Sequence, residues 1–281
     1  MSSPSTRPSS RAVAVVPRYL AGPGTGPRPG PAFDHLLASG WRLDTAVHSG
    51  NSVATSPCHR LRVGYGSTPH SPHPWQIGAT RDVFGVPEWR ASFGVDTPPE
   101  ILTAFFNSAN RFLDALGIDN DDQLFRPGPA DLSTTVAPLT EAGWRTHRMP
   151  WDITRVTSPN AQAVLHWREG FTSNHLTEMS AGQTLWWLEV APQQRHAAWD
   201  AYLTFRTPHQ LVSNLLQAVV APEPLMRDPR ILPQQLVDRL GATQQRSTAR
   251  ATASPSDGAA ASGAAREPAA KPIAPARRGP R

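Results

Sequence analysis

One cysteine, Cys58, stands in 281 residues, which excludes an intrachain disulfide and a cysteine-rich zinc fold. Lysine is as scarce, with Lys271 alone against 26 Arg. No apolar run approaches the roughly 20 residues of a membrane span. Met1-Ser2-Ser3-Pro4 opens no basic-then-apolar leader, and Ala12 to Val16 is too short for one, so a cytoplasmic protein without a membrane span is expected. Gly22-Pro23-Gly24-Thr25-Gly26 runs into Pro27-Arg28-Pro29 rather than a helix start, so it fails the context of a phosphate loop. No nucleophile elbow and no catalytic carboxylate pair are present. No catalytic, metal or cofactor site can be named, and an enzyme ranks below the binding readings given below.

The charge is unevenly placed. Residues 1–32 carry four Arg and no acid, and residues 241–281 carry six Arg and Lys271 against Asp257 and Glu267. Between them, 16 Arg face 20 Asp and Glu. The basic character belongs to the ends, whereas a nucleic-acid-binding domain more often carries its footprint on the fold. Basic tails can still attract phosphates in a salt-dependent, sequence-independent way.

Nine Trp and nine Phe supply a sizeable core, and their order reveals a duplication. Trp89-Arg90-Ala91, Thr97-Pro98 and Ile101 recur as Trp199-Asp200-Ala201, Thr207-Pro208 and Leu211, a shift of 110 residues. Thr55-Ser56-Pro57 recurs as Thr157-Ser158-Pro159, and Gly40-Trp41-Arg42 as Gly143-Trp144-Arg145, at shifts of 102 and 103. Self-similarity of this kind reports repeated architecture.

In the first copy, Arg11 to Leu20 reads as a strand that Pro17 pushes to a sheet edge, and Ala32 to Ser39 as a short helix ended by Gly40. Trp41 to Val47, Asn51 to Thr55, Arg60 to Tyr65, Trp75 to Ala79 and Trp89 to Phe93 read as short strands, the last three with period-two alternation. That pattern implies an antiparallel sheet with one buried face. Thr97-Pro98-Pro99-Glu100 reads as a capping box opening a helix to Gly117, and Thr207-Pro208-His209-Gln210 as its repeat before a helix to Val220. The second copy has a helix near Val136 to Ala142, then strands near Trp144 to Met149, Ala163 to Arg168, Thr184 to Val190 and Ala198 to Phe205. A last helix is expected over Leu232 to Leu240.

These pieces resemble the SPDY domain family, a domain of unknown function found in tandem in actinobacterial proteins. The resemblance rests on Pro17 to Gly24 (PRYLAGPG), Gly40 to Arg42, the Thr55-Ser56-Pro57 turn, Arg60 to Tyr65 (RLRVGY), Trp75 to Ile77, and Trp89 to Phe93 with Thr97 to Ile101. It covers most of residues 14–116 and, more loosely, 136–225. It implies a fold and no activity. The family pattern has Asp after Ser-Pro, where this chain has Cys58 and Asn160, so chemistry that needed that Asp is absent from both copies.

Several tempting sites read better as structure. Ser56-Pro57-Cys58-His59 places a thiol beside an imidazole, but neighbours on an extended chain point apart, and Ser-Pro between strands is a turn former. His70 and His73 have a metal-like spacing but too few convergent ligands. Asp119 to Asp122 lacks the spacing of a calcium loop and reads as a solvated linker. Trp41, Trp75, Trp89, Trp144, Trp186 and Trp199 recur between the copies and are expected in the core. Trp151, Trp167 and Trp187 fall outside that set. Trp187 follows Trp186 on a strand and must face away from the core, so these three form the candidate interaction surface, as a unit interface or an aromatic patch.

The fold class expected is α+β: two tandem units, each an antiparallel sheet of four to five short strands with a C-terminal packed helix. The sheets join either edge to edge or through their helices. Residues 1–10 form a disordered N-terminus, 11–117 the first unit, 118–135 a linker, 136–240 a second, diverged unit, and 241–281 a disordered tail rich in Ala, Pro and Arg. The function expected is a non-catalytic binding or scaffold module for a protein or small ligand in the cleft between the units. The alternative is non-specific nucleic-acid association through the tails.

Overall fold

Short strands with apolar residues at every second position can bury one face only, and the chain assembles ten of them side by side. The computed structural model describes residues 12–24, 30–66, 72–82, 85–116, 121–125, 131–168, 185–190 and 198–232, all within one compact unit of residues 1–240. From the N-terminus, β1 is Val13–Val15, β2 Arg42–Thr45, β3 Ser52–Thr55, β4 Leu61–Tyr65, β5 Trp75–Ala79 and β6 Trp89–Phe93. The later strands are β7 Arg145–Met149, β8 Ile153–Thr157, β9 Ala163–Arg168, β10 Trp186–Val190, β11 Trp199–Leu203 and β12 Leu225–Arg227. Among the described residues, β2 to β11 form one antiparallel sheet in the order β2-β3-β4-β5-β6-β11-β10-β9-β8-β7. Each half is a five-strand meander, and the two join edge to edge where Phe93, Ser92 and Ala91 pair with Ala201, Tyr202 and Leu203. β8 is absent from the sequence reading, which left Ile153 to Thr157 between strands.

The helices α1 (Gly30–Ala38), α2 (Pro99–Leu116), α4 (Leu132–Glu141) and α5 (His209–Val220) cover one face, with α3 (Asp121–Phe125) beside α2. The six recurring tryptophans are all buried there. α1 and α4 end alike. Gly40 and Gly143 adopt φ of +82° and +81°, a conformation open to glycine at little cost. The turn lets the amides of Trp41 and Trp144 reach the carbonyls of Leu36 and Leu139.

The capping boxes expected at α2 and α5 do not form. Thr97 Oγ1 donates back to the Gly94 carbonyl at 2.8 Å, because Thr97 is buried in the turn leaving β6. Glu100 reaches instead to the Arg227 guanidinium, at 2.6 and 2.8 Å. At α5, Pro208 precedes the helix without a side-chain cap, and Gln210 donates to Asn214. The helices are real, but their starts are set by Thr-Pro turns whose threonines face inward.

Two further expectations change. The segment around Pro17 does not extend as one strand: β1 stops at Val15 and a 3-10 turn follows at Arg18–Leu20. β1 pairs with β12, so the ends of the described chain meet in a ribbon of their own. Residues 118–135, expected as a linker, also hold the short helix α3, with Leu124 and Phe125 fully buried. The readings at residues 1–10, 233–240 and 241–281, and at His70 and Asp119, lie outside the described residues.

The halves also exchange anchors. Trp89 Nε1, in the first half, donates to the carbonyl of Leu124, which precedes the second half, at 2.9 Å. Its counterpart Trp199 donates to the carbonyl of Tyr19, which precedes the first half, at 2.8 Å. Buried indole N–H groups need acceptors, and each half finds one in the other's leading segment.

Candidate interaction surface

The face of the sheet opposite the helices differs between the halves. Following the strand register, one continuous row crosses it: His147, Arg155, His166, Trp187, Tyr202, Ser92, Gln76, Gly64, Val53 and Asp44. Arg155, His166, Trp187 and Tyr202 occupy the places that Val53, Gly64, Gln76 and Ser92 hold in the first half. Along this row, large aromatic and ionisable side chains lie on β8 to β11 and small or neutral ones on β3 to β6, while Arg62 and Arg90 flank it on the first half's side. Among the described residues no helix covers this face.

The side chains touch in sequence. The Trp187 and Tyr202 rings stack at 5.7 Å with an 18° interplanar angle, and His166 lies 5.0 Å from Trp187 on its other side. His73 meets Tyr202 edge-on at 4.8 Å, and its Nε2 lies 2.8 Å from Asp200 Oδ1. Gly94 is tied to Asp200 by a backbone hydrogen bond, and a Cβ there would lie 2.9 Å from Asp200 Oδ1, so glycine permits this close approach. Two residues along the strands from the row, and on the same face, Glu189 and Asp200 oppose each other directly across β10 and β11, an arrangement that repels like charges. Glu189 Oε2 lies 3.7 Å from His166 Nε2.

Partial burial sets the protonation of the cluster. It pushes the Glu189 carboxyl above its ordinary range, and the Asp200 charge adds to this while Arg155 opposes it. Burial, then Arg155, lowers His166, which favours the neutral ring. The Tyr202 phenol is held well above its usual range by burial, by the Asp200 charge and hydrogen bond, and by Glu189. Such shifts follow from withdrawing charge from water.

The three tryptophans named from sequence do not form one patch. Trp187 faces the open side as expected, half-buried among His166 and Tyr202. Trp167 sits on the opposite side of the sheet, in the helix-covered core beside Trp186, with centroids 5.8 Å apart. The strand alternates as Ala163, Leu165 and Trp167 inward, and the parity of β9 places Trp167 with them. Trp151 is 82% exposed at the β7–β8 turn, remote in register from the row. Sequence reasoning did not place Arg155, His166, Tyr202, His73 or Asp200 on this surface. The available signal was the parity of β10: once Trp187 is outward, its register neighbours follow.

The Ser-Pro turns behave as turn formers. Ser56 Oγ accepts the Leu61 amide at 3.0 Å, and Ser158 Oγ the Ala163 amide at 2.9 Å. Cys58 is exposed. Its counterpart Asn160 is a hub whose Oδ1 accepts from the Tyr19 hydroxyl, Ser158 Oγ and the Gln162 amide. Among the described residues, no three His, Cys, Asp or Glu side chains are grouped to hold a metal ion, and no helix is long and apolar enough to cross a membrane.

Neither the curated proteins nor the solved structures contain a match to this chain. The family comparison does: the two Ser-Pro turns, the strands after them, the first part of α2 and the whole of α5 fall within its matched segments. The family model of SPDY, a domain of unknown function (DUF317), matches residues 55–108 and residues 157–225, two regions consistent with a tandem domain.

Proposed function

We propose that the chain is a non-catalytic binding module that docks a protein partner on the open face of β8 to β11. The observation that carries this reading is the row Arg155, His166, Trp187 and Tyr202, set against Val53, Gly64, Gln76 and Ser92 in the first half. Trp, Tyr and Arg are the residue types that dominate protein–protein hot spots, where rigid aromatic area is bought at low entropy. Glu189 and Asp200 beside the row favour a partner that brings a basic side chain, since a cation relieves their mutual repulsion. The seam at β6 and β11 runs through the surface, so a docked partner spans both halves. His73 held by Asp200 fixes an imidazole at the edge of the row, where it adds a polar contact for the partner.

The test is affinity capture from an extract of the source cells with the full chain, its Trp187→Ala and Tyr202→Ala variants, and a Gln76→Ala control. A stoichiometric protein held by wild type and control but lost from both row variants supports the proposal. Equal capture by all four forms refutes it. Nucleic acid recovered in a salt-sensitive manner, indifferent to the row variants, would favour instead the basic ends of the chain.

A further inference from the structure

The ten-strand sheet ends in two edge strands, β2 and β7, and the two halves finish them differently. An edge strand leaves one side of its backbone without a neighbour, a template for pairing with another chain. On β2 the Arg42 guanidinium donates to Asp44 through Nε and Nη2 at 3.1 and 3.0 Å, so this edge neutralises itself. On β7 the places of Asp44 and Thr45 are taken by His147 and Arg148. The hairpin from Arg145 to Thr157 carries Arg145, Arg148 and Arg155 against one acid. That acid, Asp152, lies 3.8 Å from Arg148. All five residues of β7 are exposed, and among the described residues no strand pairs with its outer side.

The turn that closes β7 adds an aromatic side chain. In the first half, residues 46–51 join β2 to β3, and the left-handed position there is Gly50, at φ +66°. In the second half residues 150–152 make the connection, and the left-handed positions are Trp151 and Asp152, at +67° and +54°. That region suits glycine, and a bulky residue in it is strained. Trp151 recovers nothing from the core, since it is 82% exposed, and Met149 on the same hairpin is 41% exposed. Neither backbone preference nor packing within the fold accounts for a tryptophan here. A partner that covers it does.

We propose that β7 accepts an extended acidic segment of a protein partner as an added strand, with Trp151 packing against that segment. The β7 backbone supplies the ladder hydrogen bonds. Alternation sets Arg145 and His147 on one face of the sheet and Arg148 on the other, so carboxylates on either face of the added strand meet an arginine. The same charges repel a second β7, which disfavours pairing of two copies of the chain along this edge. A nucleic acid would meet the arginines but leave the amides and carbonyls of the edge without a ladder. The site runs along the edge and is separate from the aromatic face of β8 to β11.

The experiment titrates the full chain into a fluorescein-labelled, capped peptide that alternates Glu and Val. Binding is read by anisotropy, and hydrogen–deuterium exchange of β7 is followed in the same mixtures. One control peptide has Lys in place of Glu. A second keeps the Glu residues but is N-methylated throughout, which preserves charge and blocks the ladder. The Glu peptide should bind saturably and slow exchange of the β7 amides, and neither control should do so. Trp151→Ala and Arg148→Glu should each weaken binding by about tenfold, and Trp187→Ala should bind as wild type does. No binding of the Glu peptide, or binding that leaves β7 exchange unchanged, overturns the proposal. So does an N-methylated peptide that binds as tightly, since the attraction is then charge alone. A Trp187→Ala chain that loses the peptide overturns it by moving the contact to the face. An oligodeoxythymidine that slows the same β7 amides overturns the choice of a protein strand.

Discussion

Replacing Phe125 by Ala tests whether the short helix α3 is an anchor or an ornament. Phe125 is fully buried, and the Arg81 guanidinium lies 4.6 Å above its ring. Truncating a buried phenylalanine costs about 3–5 kcal/mol, combining lost transfer energy with the cavity left behind. The cation–π contact adds about 0.5–1 kcal/mol at a partly exposed site. The neighbouring Leu124 carbonyl accepts the Trp89 indole, so loosening α3 also endangers a bond of about 1 kcal/mol between the first half and the segment that leads into the second. For a unit of this size each kcal/mol moves the melting temperature by about 2–4 °C, so Phe125→Ala should melt roughly 6–20 °C below wild type. Far-UV circular dichroism melts and urea titrations of the full chain measure this. Arg81→Ala is the control and should lose roughly 1 kcal/mol or less. A Phe125→Ala chain within about 1 kcal/mol of wild type in urea would refute the anchoring argument, because no buried phenylalanine in a packed core is that cheap.

Ser56→Ala and Ser158→Ala each orphan a buried strand amide and should cost about 1–3 kcal/mol, read from urea midpoints at unchanged slope. Trp151→Ala should leave stability within about 0.5 kcal/mol of wild type, as expected for an exposed turn residue. The Glu189 carboxyl is raised in the fold, so the native state holds its proton more tightly than the unfolded chain. Stability from this group is present at pH below the ordinary Glu range and is lost as pH rises through the raised value. Glu189→Gln should therefore raise the melting temperature at neutral pH and lose that advantage in acid; an equal gain at both would show that ionisation is not the cause. His166 is lowered, so its contribution is complete above the ordinary His range and lost as pH falls through it. His166→Gln should blunt the loss of stability on mild acidification in the same melts.

Much of the scaffold was legible because it rests on local rules. Period-two alternation in Arg60 to Tyr65 and Trp75 to Ala79 yields β4 and β5 almost residue for residue, and Gly40 and Gly143 end their helices as a left-handed position requires. Where the reading failed, a long-range contact outranked a local one. Thr97 and Glu100 have the spacing of a capping box, but burial turns Thr97 onto Gly94, and Arg227 from the far end of the chain claims Glu100. Leu124 and Phe125 follow four polar residues that suggest solvent, and only the Trp89 indole shows why they are inside. Trp167 looked odd because its counterpart is Tyr65, yet strand parity already placed both inward. The aromatic row was not visible because its members lie on four strands, and only the register aligns them.

The antiparallel seam between β6 and β11 places Ser92 opposite its own counterpart Tyr202, so an approximate two-fold axis passes between them. Two separate identical subunits joined along such an edge would be compelled by symmetry to show the same side chain on both sides of that axis. A partner could then dock equally well in either of two orientations. Carrying both copies on one polypeptide lifts the constraint: Arg90 and Asp200 hold equivalent places with opposite charge, and the aromatic row grows on one side only. Fusion thereby gives the surface a direction, and whatever docks there has one way round.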